Sequence, residues 1–224
     1  MDRTFFEHPN EHYVNRLMAA TDRHTIVATE DLYNAKGVKL WAQGKPINVS
    51  LRERLLASKL NKPIEMCVQV QDGIKPADIR SDVQKILEET PAIAELGGDC
   101  TPQALKLIEG LTVSGLPHLQ LSTARADGTG SYVHAVTTAA IAAFIALRLE
   151  LHESAVEAAI MAGLAHDIGE MYVDPELLHG GRELNFSEWK HIAVHPKIGA
   201  VLLAECGNSP PRDGMRDPAT PRAP

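Results

Sequence analysis

In the stretch GLAHDIGE (163–170) an imidazole and a carboxylate, His166 and Asp167, stand side by side at the end of an apolar, alanine-rich run. Two further histidines belong with them: His134 near the start of the preceding apolar run, and His195 immediately before Pro196. Neutral imidazoles and a carboxylate are donors that Mn, Fe or Zn accept, and a carboxylate can bridge two ions. An ion held this way acidifies a bound water and neutralises a phosphoryl oxygen, which is the chemistry of hydrolysis. Singly, each residue has a blander reading. A lone histidine in an apolar run is more often a satisfied core residue, and a carboxylate at a helix end is often just solvated. The metal reading therefore requires the four side chains to converge.

The surrounding elements could bring that about. Two Ala-rich helices are expected over 131–149 and 153–167, with His134 opening the first and the His166-Asp167 pair closing the second. Adjacent helical residues point about 100° apart, so the pair flanks one edge of its helix. Gly169 can end that helix, leaving the pair at a mouth. A further helix opens at Asn185, where Glu188 has capping-box spacing. Pro196 interrupts it beside His195, and a last helix is expected over 197–206. Ligands on facing helices are how helical bundles build metal sites. Upstream, Ile79, Val83, Ile86 and Leu87 have helical spacing. Thr101-Pro102 reads as an N-cap with proline in the first turn of a helix running through Ile108, and another helix is expected over 116–124 before the loop RADGTG (125–130).

The front of the chain reads differently. HTIVAT (24–29), GVKLWAQG (37–44) and PIEMCVQVQDG (63–73) are strand candidates by alternation and flanking turns. One helix is expected over 50–60, with Ser50 and Glu53 at capping-box spacing and Leu51, Leu55, Leu56 and Leu60 on one face. Residues 1–75 thus form a small β-rich N-terminal module, too small for a comfortable core of its own and expected to pack on a neighbour or in a dimer. Residues 76–206 form a helical domain. Residues 207–224 are proline-rich and nearly devoid of apolar side chains, the composition of a disordered tail.

The low aromatic content, 4% against 44% hydrophobic residues, favours packed helices built from Ala, Leu, Ile and Val. A net charge of −7 argues against partners such as a nucleic-acid polymer or an anionic membrane surface, and a phosphate substrate would then need a local cation. Three cysteines without a CxxC motif, and no apolar leader at the N-terminus, read as reduced thiols in a cytoplasmic protein. The most apolar stretch, Ala139 to Leu147, is far short of the roughly 20 residues that span a bilayer.

HDIG after an Ala-rich helix, with His134 upstream and EWKHIAVHPKIGAVLL downstream, resembles the HD superfamily of metal-dependent phosphohydrolases. The spacings, DPELL, and LNFSEWKHIAVHPKIGAVLL are similar to its HD-GYP branch in particular, and the segment around ATEDLYNAKGVKLWAQG resembles modules found ahead of such domains. The resemblance implies a mainly α, HD-type helical bundle preceded by the small front module. It also implies hydrolysis of cyclic di-GMP or another phosphoester at a site of two or three divalent ions, Fe or Mn rather than Zn. By position, His134, His166, Asp167 and His195 match the first metal ligands, and Asp167 matches the residue that bridges two ions and counts as catalytic.

The match has departures. The His-His pair, Gly-Tyr-Pro loop and further Asp that follow in the family are not present before the proline-rich tail, so the expectation is an HD domain incomplete at its C-terminus, whose activity is open to question. The residue after HDIG is Glu170, an anion where active members carry Lys, and is expected at the rim of the site rather than on a metal. Gly130 stands where trinuclear members carry Glu. The alternative function is a non-catalytic signalling module that dimerises or binds a partner. His191, four residues before His195, is expected to face solvent. Gly180-Gly181 reads as a turn, and Arg182, Lys190 and Lys197 as solvated charges. Tyr132 and Trp189 are expected to pack rather than stack on a base, and Cys100 and Cys206 to be inert.

Overall fold

The structure, a computed structural model, describes residues 8–128 and 130–205. The 207–224 tail, Cys206 and the end of the last helix fall outside these.

The first element among the described residues is α1 (Glu11–Ala20), a helix the sequence pattern does not lead one to expect. The Asn10 side chain accepts from Tyr13 N, and Tyr13, Val14, Leu17 and Met18 form its buried stripe. Four short strands follow, β1 (Ile26–Ala28), β2 (Leu32–Tyr33), β3 (Lys39–Trp41) and β4 (Val68–Val70). They make two antiparallel pairs. β1 pairs with β4, with Ile26 opposite Val70; β2 pairs with β3, with Leu32 opposite Trp41. Between them lies α2 (Val49–Leu56), capped by Asn48 rather than by Ser50: the Asn48 side chain accepts from Ser50 N. Asn48 lies one position ahead of the helix in extended geometry, whereas Ser50 is already helical. Leu60 lies past the helix end but is still buried, pairing with Asn34 in an isolated bridge. The expected 63–73 strand is shorter than read. Ile64–Met66 coils into a 3₁₀ turn and leaves Met66 exposed, so alternation holds only across β4.

The rest is helical: α3 (Pro76–Glu89), α4 (Pro91–Gly97), α5 (Thr101–Gly110), α6 (Gly115–Asp127), α7 (Gly130–Arg148) and α8 (Glu153–Ala165). A 3₁₀ turn, Ile168–Tyr172, leads to α9 (Pro175–His179), α10 (Phe186–Ala193) and α11 (His195–Glu205). α6 takes in the first residues of RADGTG and stops at Gly128, whose φ of 63° is a left-handed cap. Thr101 is the first residue of α5, with Cys100 in the cap position. The class is mainly α with a small β-containing front module, as the sequence implied.

Two buried clusters hold these elements. Ile79, Val83, Ile108, Val136, Phe144 and Ile160 join α3, α5, α7 and α8. α7 and α8 approach closely because the contact is made by small residues. A Cβ on Gly163 would lie 2.6 Å from Ala139 Cα. α7 is long and apolar enough over its 19 residues to cross a membrane by composition, more than the uninterrupted run within it suggests. Its Val136, Ala139, Ala140, Ala143 and Phe144 are nevertheless core residues. The second cluster contains Tyr13, Leu17, Ile26, Trp41, Leu51 and Leu55 of the front module, and also Leu116, Leu119, Ile168, Met171, Tyr172 and Leu202. The front module is therefore seated on α6, α11 and the 3₁₀ turn that follows HD.

Candidate metal centre

α8 ends at Ala165. His166 still has helical backbone angles, and at Asp167 the chain tightens into the 3₁₀ turn. Gly169 does not end the helix, as the sequence suggested; its task is close approach. A Cβ there would fall onto the His195 carbonyl oxygen and lie 2.7 Å from Gly199 N. The turn thus rests directly on the first turn of α11, which carries His195 to Asp167. The α7–α8 contact at Ala139 and Gly163 brings His134 over the same point.

The four residues converge. His166 Nε2 is 2.9 Å and His134 Nε2 3.6 Å from Asp167 Oδ2, while His195 Nε2 is 3.4 Å from Asp167 Oδ1. His134 Nε2 and His166 Nε2 are 3.1 Å apart. The far nitrogens fix the tautomers. His166 Nδ1 donates to Gly163 O and His195 Nδ1 donates to Ile192 O, each at 2.8 Å. A carbonyl can only accept, so in the neutral rings both Nε2 atoms carry lone pairs. These lone pairs point at one carboxylate, electron pair against electron pair. A proton would satisfy one such contact, from an imidazolium or from a neutral His134 Nε2–H donated to His166 Nε2 at 3.1 Å; a divalent ion on each side of Asp167 would satisfy them all. A ring nitrogen held by a backbone carbonyl is also the usual outer support of a metal-bound histidine. The donor set therefore fits divalent metal, and Asp167 offers one oxygen to the His134/His166 side and the other to His195.

Glu170 departs from expectation. It is half-buried, not at the rim, and its carboxylate joins Asp167 and His195 in a group whose ligand atoms lie within 4.8 Å of one another. The reason is local. Glu170 N donates to Asp167 O at 2.9 Å, closing a 3₁₀ turn in which side chains at i and i+3 eclipse. Burial, and then the Asp167 charge, push the Glu170 carboxyl above its ordinary range, against the opposing pull of His195, His179 and Arg16. Arg16 comes from α1. Its Nη2 donates to Val173 O at 3.2 Å, and burial lowers its pKa against the charges of Glu170 and Asp174.

The centre is an open face. The His134 side chain is 61% exposed, His195 21%. The better-formed concavities share no residue with it: one of about 420 Å³ lies by Arg80, Thr101 and Glu109, another of about 370 Å³ by Glu30, Lys62 and Cys67.

The other residues fall mostly as read. His191 is exposed. Gly180 caps α9 and Gly181 has φ 63°, a turn. Arg182 is engaged by Glu188 at 2.6 and 2.8 Å, and Lys190 lies over the Phe186 ring, 4.4 Å from its centroid. Lys197 is exposed, Cys100 half-buried, and Gly130 the first residue of α7. Tyr132 packs and donates to Asp82 Oδ2 at 2.8 Å. Trp189 does not pack: it is 57% exposed, because α10 contributes no buried residue.

Residues 131–213 match the HD domain family. A stretch of 110 residues is 33% identical to cyclic di-GMP phosphodiesterase PA4108 of Pseudomonas aeruginosa, covering 47% of this chain and 27% of that protein. The chain thus spans about a quarter of that relative's length. No solved structure gives a significant match.

Proposed function

We propose, from the premise that this chain belongs to the HD superfamily and carries an HD domain of the HD-GYP type, that it is a metal-dependent phosphodiesterase acting on a cyclic dinucleotide, cyclic di-GMP in the first instance. One observation carries the proposal: the carboxylate of Asp167 is two-sided, with His134 and His166 on Oδ2 and His195 on Oδ1. Bound divalent ions, Fe or Mn before Zn by the family resemblance, would supply an acidified water and neutralise a phosphodiester oxygen. His134 and His166 with Asp167 would hold one ion, and His195 with Asp167 another. The Gly163 and Ile192 carbonyls keep the His166 and His195 rings turned so that Nε2 stays an acceptor. Residues 1–75 form a front module that supports this face through the 3₁₀ turn and α11 of the 76–206 domain.

A second reading, a non-catalytic module that binds a partner, is favoured by Glu170, an anion beside Asp167 and His195 at the position where the family resemblance expects Lys.

The test is hydrolysis of cyclic di-GMP to its linear dinucleotide by the purified 224-residue chain with Mn²⁺ or Fe²⁺. Turnover is expected, and the His166→Ala/Asp167→Ala double variant should abolish it. Turnover no higher than that of the variant, in protein shown to be metal-loaded, would leave the partner-binding reading.

A further inference from the structure

The same turn that presents Asp167 presents Glu170, and no feature of the phosphodiesterase reading so far uses it. We infer that Glu170 is a direct ligand of the ion on the His195 side, shared with His195 Nε2 and Asp167. The inference rests on the reading of this centre as metal-binding.

Three observations carry it. First, the ligand atoms of Asp167, Glu170 and His195 lie within 4.8 Å of one another, close enough to surround one ion. Second, the geometry is imposed by the backbone. The 3₁₀ turn eclipses Asp167 and Glu170, and the contact of Gly169 with the start of α11 seats His195 beside them. Third, the group is all acceptors. The Nδ1 bond to the Ile192 carbonyl leaves His195 Nε2 as a lone pair. Among the described residues, no hydrogen-bond donor meets the Glu170 carboxylate, although it is half-buried. Two partly desolvated carboxylates and an imidazole lone pair facing one another are costly unless a cation lies between them.

Charge favours the assignment in the same direction: Glu170 adds a second carboxylate where Asp167 alone would face both ion positions, and His134 and His166 complete the second position on the other side of Asp167. Arg16 approaches Glu170 from α1 and Asp174 from the same quarter, and is itself held by the Val173 carbonyl, so it braces the turn from behind. Glu170 thus replaces a cation that would bind substrate phosphate with an anion that binds metal. Two oxygen ligands and one nitrogen make a harder site than one built from imidazole alone, which favours Mn²⁺ and Fe²⁺ over Zn²⁺.

The experiment is Mn²⁺ binding to the full chain stripped of metal, read by equilibrium dialysis with elemental analysis and by electron paramagnetic resonance. Wild type should bind two ions per chain and give the spin-coupled spectrum of a Mn²⁺ pair. Glu170→Gln keeps size and shape and should retain one ion, with the six-line spectrum of isolated Mn²⁺. Its affinity for the other ion should fall by more than the roughly 10–100-fold lost with an outer partner. Glu170→Asp should recover part of that affinity. Circular dichroism of the metal-free proteins should coincide, which separates loss of a ligand from loss of fold. Two coupled ions retained by Glu170→Gln would overturn the inference and leave the metal reading standing. So would a wild type that binds one ion with an affinity that Glu170→Gln does not change. A wild type that binds none would overturn both.

Discussion

Gly169 is where the candidate metal centre costs the chain side-chain volume. Its Cα faces the backbone of α11, with the His195 carbonyl and Gly199 N where a Cβ would go. Backbone atoms cannot rotate away as a side-chain end can, so Gly169→Ala must push the 3₁₀ turn off α11. Overpacking of this kind costs about 1–3 kcal/mol, and the upper part of that range is expected here. Urea unfolding of the metal-free protein should show it. Because the displaced element carries His195, Mn²⁺ affinity should fall as well, by more than in Gly37→Ala. Gly37 has φ 78° with open space around it, so alanine there brings backbone strain remote from the centre. Metal affinity equal in the two variants would mean that Gly169 does not position His195. The convergence of His134, His166, Asp167 and His195 was legible because their types and order are unusual together. Glu170 was not. Taken as the residue after a helix-ending glycine, it had no reason to point inward. What turns it is a 3₁₀ geometry set by packing against α11, a tertiary effect.

At the scale of elements, caps and periodicity were the most readable features, and α10 shows why. Asn185 N donates to Glu188 Oε2 at 2.9 Å and Glu188 N to Asn185 Oδ1 at 3.0 Å, the capping box the spacing implied. Such a box is encoded within four residues and needs no distant partner. By contrast α1 was missed although Asn10 caps it, since its ten residues are stabilised chiefly by burying Tyr13, Val14 and Leu17 against distant elements. The strand ends of the front module were misplaced for the same reason: the 3₁₀ turn at Ile64–Met66 is not encoded by alternation. The α10 cap also carries a pH dependence. Hydrogen bonds from Arg182, and then from the Asn185 backbone, hold the Glu188 carboxyl down to about 2. A depressed carboxylate stabilises the fold above its unfolded pKa and stops doing so as pH falls through the folded one. Protection of α10 amides from hydrogen exchange should therefore be full above about pH 4.5, fall below it, and lose this contribution by about pH 2. In Arg182→Ala the loss should be smaller and should be complete at a higher pH. An unchanged profile in that variant would assign the protection to Asn185 alone.

The whole molecule is arranged so that its front and helical parts share a core behind the candidate metal centre. Ile168, Met171, Tyr172 and Leu202 belong to the cluster that contains Leu17, Trp41, Leu51 and Leu55. The Tyr172 hydroxyl donates to Glu65, whose carboxyl is buried and raised above its ordinary range mainly by that burial. Sequence length alone indicated that a module of this size would need a neighbour; which surface it uses was not readable, because the apolar residues that receive it lie in a turn and two helices far along the chain. The shared core makes a prediction that the two tryptophans can report separately. Trp41 is 4% exposed in the front module, its ring under Lys45 at 3.9 Å, while Trp189 on α10 is 57% exposed. Unfolding therefore changes mainly the emission of Trp41. An ion bound only by the native centre at a hundred times its Kd adds about 2.7 kcal/mol of stability. For a protein of this size that raises the melting midpoint by roughly 5–10 °C. If the module and the helical domain unfold as one unit, Mn²⁺ should raise the midpoint seen by Trp41 fluorescence as much as the one seen by helical circular dichroism. Neither should move in Asp167→Ala. A Trp41 midpoint that ignores the metal while the helical signal shifts would show that the module folds on its own, and that its contact with the 3₁₀ turn does not couple it to the centre.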